Sequence, residues 1–179
     1  MNQKINKLTE LGAGNFDHID GTLMQHLVGT RDILTSWGAS AQLQDAGLFH
    51  ASYSTAGFRN RLVALDQRQQ ITDLIGKDAE KIVYEYCACD REVLYPRLGI
   101  NSDPKFANRF TGEEYYLDPV LLKSFCELTV ANEVEIAIGN PGFVQKHGAA
   151  RHKIYHNMST FLSEPAKAAI ESVFGTASR

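Results

Sequence analysis

Apolar residues recur at three- and four-residue spacing over residues 22–38, which is the period of one face of an α-helix. Gly38 supplies the end of this helix, because glycine readily adopts the left-handed conformation that closes a helix. The apolar stripe consists of Leu23, Leu27, Thr30, Ile33, Leu34 and Trp37. His26 lies on the same face, so we expect its side chain to point inward.

A second helix is predicted from about Ala41 to Ala51, with Ser40 as its N-cap. Its inner face carries Leu43, Ala46, Gly47 and His50. The small residues on this face would allow the helix to approach the first one closely. His26 and His50 are therefore expected on two consecutive antiparallel helices, both facing the core.

The helical pattern continues along the rest of the chain with one interruption. Prolines and glycines break it between residues 95 and 119, where residues 106–110 and 113–117 are predicted to pair as a hairpin. Helices are predicted at residues 4–11, 66–75, 78–90, 119–138, 143–162 and 165–174. The pattern predicts an all-α bundle of about seven helices after the short first one, with a small inserted hairpin at about 104–118.

Asp90 is out of place in this pattern. It falls in the last turn of the helix that Asp78 is predicted to cap, and a carboxylate there opposes the helix macrodipole. A local misfit with no evident structural gain suggests a functional role for the residue.

Length and composition indicate one globular domain, since the 179 residues are 44% hydrophobic and 22% charged. We expect a single domain over residues 1–179, with its core at about 20–92 and C-terminal helices at 119–175. The net charge of −3 excludes a general nucleic-acid binder, which needs a positive surface. No apolar run approaches about 18 residues or has the form of a signal peptide, so we expect no membrane span and a cytoplasmic location. The three cysteines are expected to be reduced, buried thiols.

His26, His50 and Asp90 form the best candidate site in the sequence, and we call them the candidate trio. Imidazole nitrogen and carboxylate oxygen are ligands that zinc, iron and manganese accept, and such ligands converge in the cores of helical bundles. A set of two histidines and one carboxylate can hold one divalent transition metal with open positions for water or substrate. For either histidine alone, the simpler interpretation is a core residue satisfied by a hydrogen bond.

The candidate trio stands in a context that resembles the HD-domain superfamily of metal-dependent phosphohydrolases, whose signature is a His, a His-Asp pair and a distant Asp. The similar segments are residues 25–30 (QHLVGT), 45–50 (DAGLFH) and 75–91 (IGKDAEKIVYEYCACDR). The last segment is most similar to the branch that hydrolyses guanosine tetra- and pentaphosphate, and the remaining chain resembles an uncharacterised group of small HD-like proteins. The resemblance covers about residues 22–92 and implies an HD-type helical bundle with the candidate trio as metal ligands.

The sequence departs from the HD pattern directly after the second histidine. Ala51 stands where the superfamily has an aspartate that binds metal and helps to orient the attacking water. The acidic pair that follows in the hydrolase branch is replaced by Ser54 and Thr55, and neutral hydroxyls are poor metal ligands and poor bases. We therefore expect no two-metal centre, but a site for a single zinc, iron or manganese ion on the candidate trio.

Polar residues after the second histidine are candidates for binding a ligand beside the metal. Ser52, Tyr53 and Thr55 can form hydrogen bonds with it. Arg59 and Arg61 can pair with a phosphate or a carboxylate, although they equally fit an exposed loop with solvated charges.

Residues of the C-terminal half could add to the metal site. His152 and His156 are four residues apart on one predicted helix, and some HD-type oxygenases hold two irons with extra histidines. Lysines and an arginine around them also fit an ordinary surface helix. Glu133 could face the site and replace the lost acid, or it could belong to a solvated face.

The sequence supports three functions. The first is a metal-dependent hydrolase of a small phosphorylated or related metabolite, with a metal-bound water as nucleophile. The second is an HD-type bundle that has lost catalysis and binds or senses a ligand, and the third is an iron-dependent HD-type oxygenase. In each case the partner is a small molecule, and the apolar face of the last helices could serve a homodimer.

Overall fold

The structure, a computed structural model, describes residues 2–18 and 21–175 of the chain. These residues are mostly helical, which confirms the predicted class. Backbone contacts divide the chain into two compact units, residues 1–87 and 88–179. None of the described helices is both long enough and apolar enough to cross a lipid bilayer.

The first unit contains five helices and one small sheet among its described residues. Strands β1 (Asp17–His18) and β2 (Gly21–Thr22) are antiparallel. The hydrophobic pattern did not predict this sheet, because two-residue strands are too short to show an alternation of side chains. The helices are α1 (Asn2–Glu10), α2 (Leu23–Ser36), α3 (Ala41–Phe49), α4 (Gln69–Ile75) and α5 (Lys77–Ala88), of which the last residue opens the second unit.

Helices α2 and α3 begin at side-chain caps and pack against each other. Thr22 and Gln25 form a reciprocal capping box at the start of α2. The Ser40 hydroxyl accepts a hydrogen bond from the first turn of α3, as predicted. A Cβ at Gly47 would lie 2.6 Å from Leu34 Cδ1, so only glycine fits this contact without a shift. The predicted close helix pair is thus confirmed.

The second unit combines a short hairpin with three packed helices. Strands β3 (Phe106–Ala107) and β4 (Glu114–Tyr115) are antiparallel, which confirms the predicted hairpin in a shorter form. Asp118 caps the long helix that starts at Pro119, as predicted. The helices are α6 (Arg91–Leu94), α7 (Pro119–Ile138), α8 (Pro141–Asn157) and α9 (Glu164–Phe174), and the last three pack against one another.

The expected position of Asp90 in a last helical turn was wrong, because α5 ends at Ala88. Asp90 N donates a 2.9 Å hydrogen bond to Ala107 O, and the residue before it bridges to the same hairpin, so the chain leaves the helix there. Asp90 is instead the N-cap of α6, where a carboxylate is favoured by the helix dipole. Asp78, the expected cap of α5, lies inside its first turn.

Candidate functional site

The α2–α3 contact brings His26 and His50 together. Their Nε2 atoms lie 3.1 Å apart, and the two rings meet edge to face with centroids 5.0 Å apart. Both side chains are buried, with 4% and 2% of their surface exposed. The inward orientation expected for both histidines is therefore found in the structure.

The backbone fixes the tautomer of His50. Its Nδ1 lies 2.7 Å from the carbonyl oxygen of Gly47, and a carbonyl can only accept a hydrogen bond, so Nδ1 carries the hydrogen. In the neutral ring, Nε2 of His50 is then an acceptor, and Nε2 of His26 donates to it. The ring of Tyr86 packs edge-on against His50, and the Cys87 thiol donates to the His50 carbonyl oxygen at 3.0 Å. His50 is thus held at its ring and at its backbone.

The histidine pair suits two positions of a metal site. A metal-binding histidine usually donates its other ring N–H to a carbonyl or carboxylate, as His50 does to Gly47. Two imidazole nitrogens on one tetrahedral zinc lie about 3.3 Å apart, given Zn–N bonds of about 2.0–2.1 Å. The observed 3.1 Å between the Nε2 atoms is close to this separation. A shared hydrogen bond and a shared ion are both compatible with this geometry.

The third member of the trio belongs to the second unit. Asp90 Oδ1 accepts hydrogen bonds of 3.1 and 3.3 Å from two backbone N–H groups in the first turn of α6. Over residues 2–18 and 21–175, no group of three or more His, Cys, Asp or Glu side chains is arranged to hold a metal ion. The role of Asp90 as a ligand stays a prediction from the sequence resemblance.

Ala51 directly follows His50 in the chain and carries an apolar side chain. It is buried, with 2% of its surface exposed, and its methyl group offers no ligand or base. The departure from the HD pattern noted in the sequence therefore falls inside the core.

Tyr53 takes part in a buried polar cluster that the sequence analysis missed. Its hydroxyl donates a 2.8 Å hydrogen bond to Glu80 Oε1, and Arg68 donates to both oxygens of Glu80 at 2.7 and 2.9 Å. The Arg68 guanidinium also stacks on the ring of Tyr84 at 3.7 Å. Burial, with the hydrogen bond to Glu80, raises the pKa of Tyr53 far above its ordinary value. The sequence held one indication that Glu80 is buried: it lies three residues before Val83, and this spacing places both on the apolar face of α5.

The other candidate ligand-binding residues have mixed positions. Ser52 is buried and its hydroxyl donates to Phe49 O at 2.7 Å. The Thr55 hydroxyl accepts a 3.0 Å hydrogen bond from Phe58 N. Arg59 and Arg61 are exposed. The hydroxyls thus shape the loop after α3, whereas the two arginines lie where a ligand from solvent can reach them.

The additional candidates of the C-terminal half have partners within the second unit. His152 Nε2 lies 3.0 Å from Glu171 Oε1, and the His156 ring stacks at a centroid distance of 6.2 Å from His152. Glu133 Oε2 lies 3.4 Å from Arg151 Nε. The three cysteines are buried thiols outside any disulfide, as predicted.

Comparison with known proteins gives one match. Residues 7–91 match the family model of a domain of unknown function (DUF6817). No curated protein and no solved structure matches the chain. The matched span contains all three members of the candidate trio.

Proposed function

We propose that this chain is a divergent HD-type protein that binds one divalent transition metal and hydrolyses a small phosphorylated metabolite. The observation that carries the proposal is the buried histidine pair, with its two Nε2 atoms 3.1 Å apart. The hydrogen bond from His50 Nδ1 to Gly47 O supports it, because it directs the Nε2 lone pair toward His26. Two buried histidines on facing helices are a donor set suited to zinc, iron or manganese.

Asp90 is proposed as the third ligand on the strength of the HD resemblance. Its hydrogen bonds within α6 use only Oδ1, so capping and metal binding through Oδ2 are compatible. A bound ion would lower the pKa of a coordinated water to about 7, which supplies a hydroxide nucleophile at neutral pH. No further strong base is then required, which suits a chain with Ala51 in place of the usual aspartate.

The chain's own residues would bind and orient the substrate. Arg59 and Arg61 lie on the exposed loop between α3 and α4. Each guanidinium group can form a bidentate pair with phosphate oxygens. The loop is anchored near its start, because Ser52 O accepts hydrogen bonds from Leu62 N and Val63 N at 2.9 and 3.0 Å. An exposed loop that carries two cations, and whose two ends are joined by these hydrogen bonds, is the basis for proposing a phosphorylated substrate.

A second candidate is a ligand-binding domain that has lost catalysis. It is favoured by Ala51 and by Glu80, whose two carboxylate oxygens already accept hydrogen bonds from Tyr53 and Arg68. With Ala51 apolar and the Glu80 carboxylate engaged by these hydrogen bonds, neither position supplies a general base. This candidate predicts ligand binding without turnover.

Elemental analysis tests the metal part of the proposal. We expect about one equivalent of zinc, iron or manganese in protein purified without chelator. His26→Gln should lose it, because a glutamine amide can still donate to His50 but is a poor ligand for these ions. His147→Ala, which alters a half-exposed histidine of α8 outside the proposed site, is the matched control and should keep the metal. An absence of metal in the wild type, even after incubation with each ion, would leave the ligand-binding domain as the better account.

Asp90→Asn tests the third ligand without disturbing the fold. Asparagine caps helices about as well as aspartate, so the stability of the protein should hardly change. Loss of a carboxylate ligand should weaken metal binding at least tenfold. Unchanged metal affinity in this variant would exclude Asp90 as a ligand.

Turnover assays separate the candidate functions once a metal is found. Release of phosphate from a panel of nucleotides and sugar phosphates, abolished by His26→Gln, is the result expected for the hydrolase. Iron together with substrate-dependent oxygen consumption would indicate the oxygenase instead. Binding of the same compounds with no product would indicate the domain without catalysis.

A further inference from the structure

The second unit carries an open cleft that consists of two adjoining hollows of about 580 and 550 Å³. Both hollows share the wall formed by residues 100–103 and by the side chain of Tyr116. Volumes of this size are typical of sites for small organic ligands, which occupy about 300–1,000 Å³. The described residues that line the cleft all fall within residues 97–161, so the cleft belongs to the second unit.

The larger hollow has mainly apolar walls. Its apolar side chains are Ile100, Tyr116, Leu117, Leu122 and Phe161. Ile100 and Tyr116 are 79% and 57% exposed, so water covers much of their apolar surface. A group of exposed apolar side chains with polar residues at its rim marks a binding surface, whereas single exposed ones are ordinary. The hollow therefore offers apolar surface that a ligand can cover.

One wall of the cleft is held in place without a ligand. Gly99 has a φ of +81°, and a Cβ there would lie 2.8 Å from the Cβ of Asn157, so the wall packs closely on the end of α8. The Arg97 guanidinium donates to both carboxylate oxygens of Glu114 and to the backbone oxygen of Lys105. These contacts tie the same wall to the hairpin. The cleft is thus preformed, as sites for small molecules usually are.

Positive charge predominates along the cleft, although the whole chain has a net charge of −3. Three cations and two carboxylates line it; the cations are Arg97, Lys105 and Lys123, and the carboxylates are Asp103 and Glu114. The ion pair between Arg97 and Glu114 neutralises one charge of each sign. Lys105 Nζ lies 5.8 Å from the centre of the Tyr116 ring, and Lys123 lines the larger hollow together with that ring. An aromatic surface and a lysine thus border the same space.

We propose that this cleft binds a small aromatic carboxylate. The ring of the ligand packs against Tyr116 and Ile100, because aromatic pairs gain energy beyond that of their buried area. Its carboxylate pairs with the ammonium group of Lys123. A doubly charged phosphate fits less well, since the guanidinium of Arg97 is already paired with Glu114. This site does not depend on the metal proposed for the histidine pair of the first unit.

Binding of aromatic acids and of their amides tests this inference. The probes are benzoate, phenylacetate and indole-3-acetate, each compared with the amide that has the same ring without the charge. We expect the best acid to bind with a Kd of about 1 mM or lower by isothermal titration calorimetry, and more tightly than its amide. Changes in the backbone N–H shifts in NMR spectra should be confined to residues 97–105, 114–123 and 160–161.

Two variants separate the apolar contact from the charge. Ile100→Ser should weaken both the acid and its amide about tenfold, because it removes apolar surface from the wall. Lys123→Met should weaken the acid about fivefold and leave the amide unchanged, because it removes the charge but keeps most of the side chain. Both side chains are exposed, so neither change should affect the fold.

Ile138→Ser and Lys153→Met are the matched controls. Ile138 is 67% exposed at the end of α7, Lys153 is exposed on α8, and neither lines the cleft. Both variants should bind the acid as the wild type does. Equal losses in Ile138→Ser and Ile100→Ser would show non-specific adsorption and overturn the inference.

Three results with the wild type would also overturn it. The first is that none of the acids binds below about 10 mM, and the second is that each acid binds no better than its amide. The third is a dimer in analytical ultracentrifugation that Ile100→Ser converts to a monomer, since a second copy of the chain would then cover the cleft. None of these results bears on the metal content of the protein, so the two proposals fail separately.

Discussion

Removal of the Arg68 guanidinium should strongly destabilise the first unit. Glu80 has 6% of its side chain exposed and would keep only the hydrogen bond from Tyr53. Two charge-assisted hydrogen bonds of 2.7 and 2.9 Å would be lost, each worth about 1.5–3 kcal/mol. Because 34% of the Arg68 side chain is exposed, the lower end of this range applies, and Arg68→Met should cost about 3 kcal/mol.

The asymmetry of the pair gives the sharper test. In Glu80→Met, Arg68 can turn its charge toward solvent, so this variant should cost less than Arg68→Met. The double variant should cost less than the sum of the two, because no unpaired charge stays buried. Urea unfolding followed by circular dichroism and by the fluorescence of Trp37 gives the free energies.

Arg97→Met serves as the matched control for this prediction. Arg97 also pairs with both oxygens of a glutamate, at 3.0 and 3.1 Å, but Glu114 is at the surface. Its loss should leave the unfolding free energy close to that of the wild type. If Arg68→Met is as mild as Arg97→Met, or if Glu80→Met is the more damaging change, burial does not govern the strength of this ion pair.

Two other predictions concern packing and ionisation. Gly47→Ala should lower the unfolding free energy by about 1–3 kcal/mol, because the new methyl group would meet Leu34. Gly142→Ala, in the open first turn of α8, is the control and should leave the unfolding free energy unchanged or slightly higher. Equal urea midpoints for the two variants would contradict this prediction. Burial raises the pKa values of Tyr53 and Tyr155 in the folded chain, so the unfolded chain loses these protons first above pH 10. The unfolding free energy should therefore fall as pH rises from 10 to 12, less steeply in Tyr53→Phe, and an identical slope in that variant would exclude Tyr53 as a cause.

The helix pair of the first unit was predictable because its determinants are local. Ser40 begins a helix by its own hydroxyl, and the apolar stripe alone oriented His26 and His50. Asp90 was misplaced because α5 stops where the chain pairs with a hairpin some 17 residues further on, which no local pattern reveals. Asp90 caps α6 because this contact ends α5 two residues before it.

The cluster of Tyr53, Arg68 and Glu80 could not be predicted from the sequence. A charged residue within a helix is normally assigned to the solvent face, so Glu80 was passed over although it is buried. Its burial depends on Arg68, twelve residues earlier, and on the hydroxyl of Tyr53. Tyr53 was expected to bind a ligand, and in the structure its hydroxyl donates a hydrogen bond to the Glu80 carboxylate. Only the fold brings these three residues together.

The glycine at the α2–α3 contact ties two properties of the chain to one position. Gly47 sets how near the helices can come, and its carbonyl oxygen also holds the ring of His50. A side chain there would displace Leu34, whose Cδ1 would lie 2.6 Å from the new Cβ, and so disturb the packing of the two helices that carry His26 and His50. A substitution that is selected for core stability at this position therefore also affects the histidine pair. An engineer who seeks a more heat-resistant variant should leave this position alone and look for gains in the second unit.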